Sequence, residues 1–296
     1  MTAPFRAGFV SLVGRPNVGK STLANALVGT KMAITSSKPQ TTRRIIRGIL
    51  TTPEGQLIFV DTPGIHKPRT LLGTRLNALV EQTLADVDVI VHLFPATEKV
   101  GPGDRHIRAT LDEFPRAKKV AVVSKVDLAD RHQVLERLVE VDQLGEWDLV
   151  VPLSAVSGHQ LDTLVTELLA LMPESPQLYP DGRITDDDED IHLSELIREA
   201  ALEGVRDELP HSLAVVIDER QNEPGEVEKI FATLYVERDS QKRIMIGTGG
   251  ARLKDIGSAA RKEIEAVLGH KVFLSLHVSV SKEWQRDPKK LGRLGF

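Results

Sequence analysis

The chain has 296 residues, 41% hydrophobic and 27% charged, with a net charge of −4 at neutral pH. That length accommodates two domains, each able to bury its own core, and no apolar run approaches the eighteen or so residues of a membrane span. Cysteine is absent, which excludes disulfides, thiolate zinc sites and cysteine nucleophiles, and the nine histidines are dispersed without metal-ligand spacing.

Phe9–Val13 reads as the first strand, and Met1–Arg6 leads into it without the succession of a secretion signal, so a cytoplasmic protein is expected. The strand runs into Gly14-Arg15-Pro16-Asn17-Val18-Gly19-Lys20-Ser21 and then into the helical pattern Lys20–Val28. Strand, G-x-x-x-x-G-K-S and helix in that order are the setting of a phosphate-binding loop. Its glycines let backbone N–H groups face the phosphates, and the helix N-terminus adds positive potential. Lys20 is expected to reach the β and γ oxygens and Ser21 to ligate Mg2+, with Thr22 closing the nucleotide-binding stretch.

Thr35–Arg44 is polar and aperiodic, as a mobile loop would be, and a threonine there could complete the Mg2+ shell. Thr42 is preferred to Thr41, although the pattern does not separate them. Leu57–Val60 is the next strand, ending at Asp61-Thr62-Pro63-Gly64. Asp61 suits a second Mg2+-coordinating group, and the Gly64 backbone N–H suits a γ-phosphate contact that is lost on hydrolysis.

A helix over Leu71–Ala85 and strands over Val87–Leu93 and Val120–Val123 follow. After the last of these, Ser124-Lys125-Val126-Asp127 corresponds to the guanine-reading N-K-x-D element with serine in first place. Asp127 can accept from the ring N1–H and the exocyclic amine of guanine, a pairing adenine lacks, and Lys125 can lay its stem on the base. The shorter Ser124 is expected to weaken the contact to guanine N7 and the tie to the phosphate loop. A strand over Leu149–Leu153 then leads to Ser154-Ala155-Val156-Ser157-Gly158, whose Ser154 and Ala155 backbone is placed against the base, and to a helix over Leu161–Leu171. Continuous apolar strands alternating with helices imply a doubly wound, mostly parallel α/β sheet over residues 1–175.

Pro173, Pro176, Pro180 and Gly182, followed by the acidic run Asp186–Asp190, read as a solvated linker over 176–192. Residues 193–296 read as a smaller α+β module: helix Leu193–Glu208, strands Ser212–Ile217 and Ile230–Val236, a segment Ile244–Gly250, a helix to Leu268 and an alternating strand Val272–Val280. Gly247-Thr248-Gly249-Gly250 supplies a G-x-x-G loop at a helix start, the form in which a KH domain clamps a nucleic-acid backbone. Arg252 and Lys254 lie beside it, and Lys289 and Lys290 lie in a basic tail that begins at Trp284. From Arg238 to Arg293 there are thirteen Lys and Arg against six Asp and Glu, so the acidic average hides a basic module. Thr248 stands where a lysine is common, which predicts a shallower salt dependence.

These elements in order, with Lys38-Pro39-Gln40-Thr41-Thr42-Arg43 and the C-terminal module, resemble the Era family of bacterial ribosome-assembly GTPases, of the TrmE-Era-EngA-like group, over nearly the whole chain. The resemblance implies GTP and GDP as ligands with Mg2+, hydrolysis of GTP, and a type II KH domain. It further implies binding of 16S ribosomal RNA near its 3′ end and assistance to 30S subunit maturation by a monomer, with peripheral association at the inner face of the cell membrane left open. A tRNA-modification GTPase is the alternative, disfavoured because that group's C-terminal cysteine motif has no counterpart here; an RNA-binding scaffold with a structural nucleotide site is another. Ile65 stands where Ras-like GTPases place a water-orienting glutamine, a task hydrocarbon cannot perform. In related GTPases the residue at Asn17 helps hold K+ against the phosphates, so Asn17, with Lys20, Thr42 and Gly64, forms the expected catalytic set, and K+ is an expected cofactor.

Overall fold

The computed structural model describes residues 4–35, 42–63, 70–186, 188–205, 212–223 and 225–296. The chain divides into two units, one from most of the first 186 residues and the other from residues 187–296 together with two short stretches from the first quarter of the sequence. In the first, β1 (Arg6–Val13), α1 (Lys20–Val28), β2 (Ile46–Thr51), β3 (Gly55–Asp61), α2 (Leu71–Asp86) and β4 (Val89–Pro95) are followed by α3 (Pro102–Leu111), β5 (Lys118–Ser124), α4 (Arg131–Asp142), β6 (Leu149–Pro152) and α5 (Leu161–Leu171).

The six strands lie in the order β2-β3-β1-β4-β5-β6. All neighbours run parallel except β2 against β3. Every residue of β3 and β4 is buried, because helices cover both faces of the sheet. The chain passes from β3 on one side of β1 to β4 on the other, which makes the C-terminal end of β1 a topological switch point where ligands bind in open α/β sheets. Gly14, Asp61 and Ser124 all stand at the C-terminal ends of parallel strands. The edge strand β2 lacks a continuous apolar run, since Arg47 faces solvent and Gly48 packs without a side chain.

The segment after α5, which reads from sequence as solvated linker, keeps most of its residues exposed while pairing along the sheet edge. Gln56 is fully buried in β3, and its amide oxygen accepts from the backbone N–H of Leu178 and Tyr179 at 3.0 and 2.9 Å. Its amide nitrogen donates to the Tyr179 carbonyl at 3.0 Å. Ile49 N–H donates to the Ile184 carbonyl at 2.8 Å, and Thr185 bridges Gly48 in antiparallel fashion. Prolines and glycine break helical periodicity but do not prevent an extended segment from pairing at an edge.

The second unit contains α6 (Glu189–Leu202), β7 (Ala214–Gln221), β8 (Glu228–Val236), α7 (Asp239–Ile246), α8 (Ala251–Leu268), β9 (Val272–Val280) and α9 (Pro288–Arg293). Its sheet is β7-β8-β9, antiparallel then parallel. α6 begins four residues before the predicted start, because the acidic run initiates the helix: Asp188 accepts from Asp190 N–H at 2.8 Å, and Glu189 and Asp190 occupy the first turn, where negative charge complements the helix dipole. The predicted segment before the glycine loop is the end of α7. Leu193, Leu196, Ile197, Leu234, Ile256 and Ile264 are among the buried residues of the core. Trp284 is buried there too, its indole N–H donating to the Ser212 carbonyl at 3.0 Å.

The core of the first unit also encloses an imidazole. His92 in β4 is fully buried, packs its ring 4.1 Å from Phe94, and has no hydrogen-bond partner for either ring nitrogen among the described residues. Burial, then the cations Arg108, Lys20 and Arg15, hold its imidazole down to about 3 from an ordinary 6.5. The unfolded chain therefore takes up this proton below about pH 6.5 while the folded chain does not until near 3. Folded stability is complete above that window and falls as pH drops through it. His92→Leu is expected to remove this component, so that in urea unfolding the wild type loses about 2 kcal/mol more than the variant between pH 7 and pH 5.

Candidate functional site

The loop after β1 turns through left-handed backbone at Asn17, with φ 65°, and at Gly19, with φ 104°. Asparagine tolerates that region better than most side chains. Val18 is anchored in the sheet core while Pro16 and Asn17 are exposed. Lys20 is buried, and its ammonium donates to the carbonyls of Gly14 and Arg15 at 3.2 and 3.1 Å. Burial lowers its pKa and the charge of Asp61 opposes the fall. The result is a concentrated cation beneath the loop. Arg15 is braced from outside, its guanidinium 2.8 Å from the buried Asp104 carboxylate and 3.0 Å from Glu98. Asp104 also accepts from Gly101 N–H at 2.8 Å at the start of α3. No motif in the sequence marks this brace; the only trace is the acidic residue three positions after Gly101.

At the start of α1, three oxygen-bearing side chains converge. The Ser21 hydroxyl donates to Asp61 Oδ2 at 2.7 Å, and Thr42 Oγ1 lies 3.2 Å from both. Asp61 is fully buried, and its other carboxylate oxygen has no hydrogen-bond partner among the described residues. Burial pushes its carboxyl upward, opposed by the Ser21 hydroxyl, the Lys20 charge and the Thr42 hydroxyl. A hard divalent cation fits such an oxygen set and would engage the unpartnered atom. Thr22 is half-buried in the same helical turn. Gly64 and Ile65, and Thr41 with the rest of 36–41, lie outside the described residues.

The base-reading elements also meet the loop. Ser124 is buried at the end of β5, and its hydroxyl donates to the Val18 carbonyl at 2.8 Å, so the serine makes a tie to the phosphate loop. Lys125 takes left-handed backbone and its ammonium donates to the Asn17 carbonyl at 2.6 Å. Asp127 is exposed in the short turn Val126–Leu128. Val126 N–H donates to the Leu153 carbonyl at 3.3 Å, which links this turn to the Ser154–Ala155 loop. Ser154 is buried, with its hydroxyl accepting from Ser157 N–H at 3.1 Å.

In the second unit, Gly247 ends α7 at φ 73°, Thr248–Gly250 make one tight turn with Gly249 and Gly250 also left-handed, and α8 begins at Ala251. A β-carbon on Gly247 would sit 2.7 Å from Arg252 Cβ, so both conformation and space require glycine. Thr248, Gly249 and Lys254 are exposed, as is Lys289. Arg252, predicted to face RNA, donates instead to the carbonyls of Glu203 and Ala201 at 2.8 and 3.4 Å, satisfying the C-terminal end of α6. Lys290 donates to the Lys282 carbonyl at 2.7 Å.

Comparisons with known proteins agree in both units. The profile of the 50S ribosome-binding GTPase family matches residues 9–125 and that of the KH domain matches residues 208–285. GTPase Era of Mycobacterium avium is 58% identical over 299 residues, covering 99% of each chain. GTPase Era of Nocardioides sp. is 56% identical over 301 residues, covering 98% of this chain and 96% of that protein. The chain belongs to the Era family of GTPases. A crystal structure of Era in complex with MgGDPNP and nucleotides 1506–1542 of 16S ribosomal RNA superposes with a TM-score of 0.94 at 37% identity, covering 98% of this chain and 99% of that one. An Aquifex aeolicus Era variant bound to GDP·AlF4− matches equally well. The Era fold thus places the phosphate loop and the G-x-x-G loop in one chain.

Arg252→Ala is expected to destabilise the second unit by about 1–2 kcal/mol, because the last carbonyls of α6 lose a charged donor. Lys254→Ala, an exposed change two residues further along α8, is expected to stay within about 0.5 kcal/mol of wild type in the same calorimetric scan.

Proposed function

We propose that the chain is a GTP-hydrolysing switch that binds 16S ribosomal RNA near its 3′ end and assists assembly of the small ribosomal subunit. The observation that carries the reading is the convergence of the Ser21, Thr42 and Asp61 oxygens beside the buried ammonium of Lys20, within a chain that also presents a glycine-hinged KH loop. Phosphates seated against the loop would take Lys20 as their nearest cation, replacing the carbonyl contacts it now makes. Mg2+ held by Ser21, Thr42 and Asp61 would supply charge neutralisation at the β and γ oxygens. Gly64 is assigned the γ-phosphate sensing contact, and Asn17 a share in holding K+ where Ile65 offers no water-orienting amide. The Era–RNA complex supports 16S ribosomal RNA as the partner. We assign Gly247–Gly250 and the exposed Lys254 and Lys289 as the protein side of that contact. Arg252 and Lys290 contribute to that surface through the loop and tail they hold in place. We infer from the family reading a cytoplasmic monomer whose association with the membrane, where it occurs, is peripheral. No helix among the described residues is long and apolar enough to cross a bilayer.

Asp127→Asn is expected to lower turnover of GTP on the order of a hundredfold or more and to raise use of xanthosine triphosphate, because the amide donates where guanine also donates but xanthine accepts. Hydrolysis is expected to run faster in KCl than in NaCl at matched ionic strength; equal rates would remove the role given to Asn17. In RNA titrations at several salt concentrations, Lys254→Ala is expected to reduce the log–log salt slope by about one, the signature of a single lost phosphate contact.

A further inference from the structure

Position 124 departs from the asparagine of the guanine-reading element, and the hydrogen bonding around it shows which of two tasks the serine keeps. An asparagine amide has two N–H protons and can serve two acceptors, whereas a serine hydroxyl has one. Here that proton lies on the Val18 carbonyl at 2.8 Å, within a buried bond, with the Phe94 carbonyl a distant second at 3.4 Å. Both neighbours are acceptors, so neither releases the proton for a third. Guanine N7 is also an acceptor. Turning the hydroxyl toward it would strip a buried carbonyl in the phosphate loop of its donor, exchanging one bond for another with a desolvated group left over. The oxygen also sits one bond closer to the backbone than an amide nitrogen would.

We propose that the nucleotide site leaves N7 unread: Ser124 is a positioning residue that ties β5 to the phosphate loop, and guanine selectivity rests on the Watson–Crick edge through Asp127. The neighbouring Lys125 reinforces the division of labour, its ammonium holding the Asn17 carbonyl at 2.6 Å, so two adjacent side chains clamp consecutive loop carbonyls. The site is accordingly selective for the N1–H and 2-amino pattern and indifferent to the imidazole edge, and it accepts guanine nucleotides altered at position 7. The proposal rests on Asp127 as the base reader, and the two are separable by experiment.

The test is competitive displacement of a ribose-labelled fluorescent GDP from the full chain by GDP, 7-deaza-GDP and IDP, which lacks the 2-amino group. Wild type is expected to bind 7-deaza-GDP within about twofold of GDP and IDP on the order of tenfold more weakly. Ser124→Asn is expected to introduce a penalty of about three- to tenfold against 7-deaza-GDP, the worth of one recovered hydrogen bond. Ser124→Ala is expected to weaken GDP and 7-deaza-GDP by the same factor, because it removes only the tie to Val18. A wild type that rejects 7-deaza-GDP by about fivefold or more overturns the inference, and so does a Ser124→Asn variant that gains no such discrimination. IDP bound as tightly as GDP overturns the assignment of Asp127 instead. The wild-type ratio decides the matter by itself should a variant fail to fold.

Discussion

A lysine ammonium buried at the C-terminal edge of a parallel sheet sets the terms for the nucleotide site. Lys20 is stripped of water, so its charge must be met by the protein or by a ligand, and the structure meets it with the two loop carbonyls of Gly14 and Arg15 and the field of Asp61. Backbone carbonyls are a partial answer to a full charge. An anionic phosphate is a complete one, and the loop that would receive it is braced by Asp104 and Glu98 on Arg15, by Ser124 on Val18 and by Lys125 on Asn17. The low-dielectric surroundings that make the lysine costly to bury are the same that make its interaction with a phosphate strong.

The sheet supplies the geometry this charge requires. The parallel registers of β1 with β3 and of β4 with β5 set Leu12 opposite Asp61 and Pro95 opposite Ser124, so the strand ends arrive together and bring Gly14, Asp61 and Ser124 to one edge. Asp61 then stands where the first turn of α1 offers Ser21, with its second oxygen lacking a hydrogen-bond partner among the described residues. The second unit follows a different logic. Its loop is shaped by conformations that only glycine adopts cheaply, and Arg252 secures it by occupying the carbonyls at the end of α6.

Side chains with formal charge serve structure here more often than their positions in the sequence suggest. Arg252 and Lys290 sit in a basic stretch and read as phosphate contacts, yet both donate to backbone carbonyls. Asp188 to Asp190 read as a solvated run, yet they start a helix. Net charge along a sequence counts such residues without seeing the backbone groups that claim them, and helix ends, with four unsatisfied groups each, are where those claims concentrate.

Much of the candidate site was legible before the fold was known. A glycine-spaced loop between strand and helix, a carboxylate at a strand end, and a lysine–aspartate pair after another strand are local patterns whose chemistry demands those residue types, and they name Lys20, Ser21, Asp61 and Asp127 without three-dimensional help. Alternation in Val272–Val280 and the continuous apolar runs before it likewise declare strands, because side-chain period reflects burial directly. Only the tertiary structure decided the rest. It brought Thr42 to Ser21 and Asp61, laid residues 176–186 along a sheet edge through Gln56, enclosed His92 without a hydrogen-bond partner among the described residues, and gave the one proton of Ser124 to Val18. Each of these depends on a group distant in sequence that competes for, or fails to offer, a hydrogen bond. Local pattern carries residue identity; it does not carry which neighbour arrives first.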